Sequence, residues 1–88
     1  MHPAIEKALN NLYPKDKNFC ILFYTKERGL TMVTLINDNN LKEYLKNEDF
    51  DKYDFGEIVK VFSCATLDIL IKEVLLTKSE IKAREEKS

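Results

Sequence analysis

Six consecutive apolar residues, Phe19-Cys20-Ile21-Leu22-Phe23-Tyr24, constrain this chain more than any other stretch. The run is rich in strand formers and too short to stand as a helix of its own. A strand apolar on both faces belongs at the centre of a sheet and needs cover above and below. Lys26-Glu27-Arg28-Gly29 follows at hairpin length, with Gly29 suited to the positive φ that such turns need. Leu30–Ile36 is then the returning strand, and Glu57–Ser63, rich in β-branched residues, is a third.

Helical periodicity fills the remainder. Ile5, Ala8, Leu9 and Leu12 share one face over residues 3–13, and Pro14 stops that helix. Asn40 with Glu43 resembles a capping box ahead of a short helix carrying Leu41, Tyr44 and Leu45. Ser63 or Thr66 can cap a last helix from about Ala65 into the eighties. Its expected core face is Leu67, Leu70, Ile71, Val74 and Leu75. Ile69 and Leu76 form a second stripe, read as the candidate oligomer interface if it stays exposed. The charged stretch 79–88 is expected to fray or project into solvent.

The order α-β-β-α-β-α over 88 residues makes one α+β domain, 1–88. With the most apolar strand central, the spatial order should be 2-1-3 in a mainly antiparallel sheet, packed with helices as a small two-layer sandwich. Cover for the second sheet face must come from the short helices or from another subunit.

Charge is unevenly spread. Residues 37–57 hold three lysines against seven acids, whereas residues 1–36 and 58–88 are each slightly basic. The acidity centres on residues 48–57, which combine five carboxylates with Phe50, Tyr53 and Phe55. Aromatic rings supply contact area at little entropic cost, and carboxylates supply attraction to a basic surface. Glu48, Asp49, Phe50, Asp51, Tyr53, Asp54, Phe55 and Glu57 are therefore the candidate partner-binding residues. The bland alternative is that the three rings only anchor a loop whose acids face water.

Catalytic and metal chemistry find little support. An EF-hand loop starting at Asp49 would need glycine where Asp54 stands and glutamate where Lys60 stands. One His and two separated Cys cannot build a tetrahedral zinc site. Cys64, between a strand and a helix start, is the one candidate nucleophile, but His2 is the only histidine that could serve it. Cys20 and Cys64 read as reduced, buried thiols. The two glycines are isolated, so there is no phosphate-cradling loop.

These residues lead to the expectation of a non-enzymatic protein-interaction module without cofactor or metal. Its partner would be a protein with a basic surface, and a homodimer is a further expectation. Twelve lysines to two arginines and seven asparagines are the usage of an AT-rich genome. Together with small size, this extends the expectation to a phage or mobile-element inhibitor of a nucleic-acid-handling or defence protein. The alternatives are a small nucleic-acid-binding regulator using Lys26, Arg28 and the lysines near the termini, and a small thiol enzyme using Cys64. No apolar run approaches membrane-spanning length and no apolar signal segment is visible, so a cytoplasmic location is expected.

Overall fold

The computed structural model describes residues 3–11, 18–47, 56–64 and 66–87. Helix α1 (Pro3–Asn10) is followed by strands β1 (Asn18–Thr25) and β2 (Gly29–Ile36), helix α2 (Leu41–Asn47), strand β3 (Glu57–Cys64) and helix α3 (Leu67–Lys87). The strands form one antiparallel sheet in the order β2-β1-β3. The apolar run takes the centre, where both neighbours satisfy its backbone, and Phe19 to Phe23 are fully buried.

Alternation along β1 divides the core in two. Phe19, Ile21 and Phe23 face α1 and α2, meeting Ile5, Leu9, Leu41 and Leu45, with Val33, Leu35, Ile58 and Val61 closing the cluster. Cys20, Leu22 and Tyr24 face the other way, toward α3. The helices thus divide between the two faces. The expected pair of layers is joined by a third, and α3 supplies the second-face cover that β1 requires. A bulge makes this consistent on β3. Leu22 pairs with Lys60 but Phe23 pairs with Ile58, so Val59 is the extra residue. Lys60 can then turn toward α3 while Ile58 stays in the α1–α2 core.

Short-range chemistry fixes the turns. Gly29 adopts φ +72° and closes the β1–β2 hairpin, where the Arg28 amide donates to Thr25 Oγ1 at 3.0 Å. At the start of α2 the Asn40 amide donates to Asp38 Oδ1 at 2.9 Å. The capping oxygen is thus Asp38's, two residues before the Asn40 expected from spacing, in an Asx-type turn. Thr66 caps α3, its Oγ1 accepting from the Ile69 amide at 3.3 Å.

Helix α3 runs into the eighties as expected but departs from expectation in its face. Its buried residues are Thr77 and Ile81, with Leu70, Glu73 and Val74 half-buried. Leu67, Ile71 and Leu75, expected in the core, are exposed. Apolarity at i, i+3 and i+4 selected a stripe, but side chains beyond the apolar run decide which stripe touches the sheet. Lys60 pairs with Glu73 at 3.1 Å and reaches Glu80 at 3.8 Å, and Arg84 pairs with Glu57 at 3.1 Å. These contacts flank the packed stripe, in which Leu70, Val74, Thr77 and Ile81 point at the sheet. For the same reason the charged stretch beyond Lys78 continues as helix to Lys87, with Ile81 as an anchor within it.

Candidate functional site

One end of the sheet brings Lys26 and Glu57, two of the residues the sequence marked, near Tyr24, Arg84 and Glu85. The C-terminal end of β1, the 26–28 turn, the entry to β3 and the last turns of α3 meet there. Tyr24 Oη donates to Glu85 Oε1, tying β1 to α3. Arg84 presents both terminal nitrogens to Glu57, Nη2 to Oε2 at 3.1 Å and Nη1 to Oε1 at 3.5 Å. Tyr24, Lys26, Ile81, Arg84 and Glu85 line a hollow of about 520 Å³ between them.

Gly56 fixes where the acidic–aromatic sequence joins this end. Its φ is +98°, and a Cβ placed there would collide with the Tyr24 carbonyl and the Thr25 side chain. Backbone lies against backbone, which only glycine permits. Chain leaving residue 55 therefore enters β3 at the corner formed by Tyr24, Thr25 and the Glu57–Arg84 pair. Of the residues read as partner-binding, Glu48, Asp49, Phe50, Asp51, Tyr53, Asp54 and Phe55 lie outside the described residues. Glu57 lies within them, exposed and ion-paired.

Cys20 and Cys64 lie on neighbouring strands, two residues apart in register on the face that α3 covers, and both are buried free thiols. Cys64 Sγ donates to the Thr66 carbonyl at 3.0 Å, and Cys20 Sγ lies 3.8 Å from Thr34 Oγ1. Burial pushes the Cys20 thiol above its ordinary value, with Cys64 adding to the push and the Thr34 hydrogen bond opposing it. His2, the partner a Cys64 nucleophile would need, lies outside the described residues. Among the described residues no cluster of three or more His, Cys, Asp or Glu side chains is disposed to hold a metal ion.

A second region was not legible as a site from sequence. Met32, Thr34 and Ile36 project from β2 on the α3 side of the sheet, yet α3 does not reach them. Leu67, Ile71 and Leu75 of α3 are exposed as well. Glu73, Glu80 and Arg84 turn toward β3 and Glu85 toward β1, so at about 100° per residue this apolar flank faces the β1–β2 side. Ile69 and Leu76, the expected oligomer stripe, are exposed on the opposite flank. The signal was present as excess apolarity, because α3 from Leu67 to Leu76 carries more apolar residues than one sheet contact can bury.

The structure defines a small α+β domain, an antiparallel β2-β1-β3 sheet with helices on both faces. No family model, curated protein or solved structure matches the chain. Among the described residues no helix is long and apolar enough to cross a membrane.

Proposed function

We propose that this chain is a protein-interaction module that presents the carboxylates and aromatic rings of residues 48–57 to a partner with a Lys/Arg-rich surface. The supporting observation is the seat of Gly56, which holds the start of β3 against the β1 backbone. An interaction segment that leaves a rigid sheet from a fixed point loses less entropy on binding than one that leaves a loose tail. The Glu57–Arg84 pair lies beside that point, with Lys26 on the same hollow. Proteins that handle nucleic acids carry suitable basic surfaces, and an inhibitor that occupies such a surface by resembling phosphate charge is the sharper form of the proposal.

The test replaces Asp49, Phe50, Asp51 and Asp54 together with alanine and checks folding by circular dichroism. The unmodified chain is expected to retain basic proteins from its source lysate in a salt-sensitive manner. The quadruple variant should retain them at least about ten-fold less well, the loss of a few charge-assisted contacts. Equal retention by both would overturn the reading.

A further inference from the structure

We infer that the outer edge of β2 is where a second copy of this chain adds its own β2, joining two sheets into one. The two edges of the sheet are built differently. β3 carries the Val59 bulge, and along it stand Glu57, paired with Arg84, and Lys60, paired with Glu73. Bulges and charges are the devices by which proteins keep an edge from pairing with another chain. β2 has none of them. Its eight residues, Gly29–Ile36, run without a charge, a proline or a break in register against β1. It ends the strand order, so among the described residues no strand lies beyond it.

Unpaired backbone specifies what such an edge takes. Alternate residues of β2 turn their N–H and C=O away from β1, and a second strand offers partners at that spacing. The flanks of β2 specify which strand. It leaves the turn Lys26-Glu27-Arg28, which is net basic, and runs out into Asn37-Asp38, which is acidic. Its complement is an uncharged antiparallel strand with an acid at the basic end and a base at the acidic end. The β2 of a second copy is such a strand.

The same reasoning gives the register. A two-fold axis normal to the sheet at Val33 pairs Leu30–Ile36 with itself, Leu30 opposite Ile36, Thr31 opposite Leu35 and Met32 opposite Thr34. Arg28 then stands opposite the other copy's Asp38 at both ends of the contact. Opposed residues come from the same face of each sheet. The half-buried Thr31, Val33 and Leu35 therefore gain neighbours on their open side, and the exposed Met32, Thr34 and Ile36 gain theirs on the α3 side. Pairing over this length closes about six to eight backbone hydrogen bonds. The product is one sheet in the order β3-β1-β2-β2-β1-β3, with a bulged and charged strand at each end. The inference does not depend on residues 48–57.

Sedimentation velocity from about 1 to 200 µM, with amide hydrogen exchange at both ends of that range, tests it. The unmodified chain should move from monomer to dimer mass, the affinity a small interface supports. Amides of β2 that point away from β1 should exchange at least about ten-fold more slowly in the concentrated sample, and the outward amides of β3 should not. Met32→Lys combined with Thr34→Lys sets lysines directly opposite each other and should weaken association at least about 100-fold. Arg28→Glu, on the turn, should weaken it about ten-fold. Circular dichroism of dilute samples checks that each variant is folded. Four results would each overturn the inference: a chain monomeric throughout, a dimer undiminished in either folded variant, a dimer whose β2 amides exchange as in the monomer, or growth past the dimer. The alanine variant at Asp49, Phe50, Asp51 and Asp54 should dimerise as the unmodified chain does, which separates this result from the test of the 48–57 segment.

Discussion

Two glycines with positive φ answer to different constraints, and the difference is measurable. At Gly29 a Cβ would meet nothing within 4 Å, so alanine suffers only the left-handed backbone, about 1 kcal/mol. At Gly56 the same substitution also drives a methyl into the Tyr24 carbonyl and Thr25, and about 2–3 kcal/mol should be lost. Urea denaturation of the two variants should rank them in that order; equal losses would mean that Gly56 is not seated as described. Cys20 gives a pH signature. Its thiol is raised in the folded chain, while the unfolded chain ionises near the ordinary value of about 8.5. Above that pH the unfolded state releases a proton that the folded state keeps, so this group's stabilising contribution is present at neutral pH and lost as pH rises through the folded value. The stability difference between the unmodified chain and Cys20→Ala should therefore shrink from pH 7 to pH 10. A difference that is flat or grows would contradict the buried, protonated thiol.

At the scale of elements, strands and turns were legible in the residues and the orientation of α3 was not. Phe19–Tyr24 could be buried on both faces only at the centre of a sheet, and this fixed the order β2-β1-β3. Helix α3 offered several apolar stripes, and periodicity does not rank stripes of similar content. The stripe that packs includes Thr77 and Ile81, beyond the apolar run, and the pairs Lys60–Glu73 and Glu57–Arg84 flank it. Ile81, isolated among charges, is buried for that reason, while Ile71 in the middle of the apolar run is not. Ile81→Ala should cost about 2–3 kcal/mol, as core truncations do. In dilute monomer, Ile71→Ala should cost less than about 1 kcal/mol, as surface changes do. The reverse ranking in thermal denaturation would restore the face read from periodicity. The half-exposed Lys60–Glu73 pair contributes orientation more than stability, and Glu73→Gln should lose no more than about 1 kcal/mol.

For the molecule as a whole, one sheet face is closed by α1 and α2, and the other is only half closed by α3. The closed face was foreseeable, because Ile5, Leu9, Leu41 and Leu45 had nowhere else to go. The half-open face was foreseeable only as an alternative, since the sequence required second-side cover for β1 without showing how much of β2 that cover would reach. The acidic segment was visible from composition alone, and what structure adds is its point of attachment at Gly56.

The most direct measurement of this arrangement is methyl NMR with a soluble paramagnetic agent. The methyls of Met32, Ile36, Leu67, Ile71 and Leu75 should be relaxed strongly, and those of Ile21, Leu45 and Ile81 should be shielded. A folded chain in which Ile71 and Leu75 are shielded and Ile81 is accessible would contradict the account.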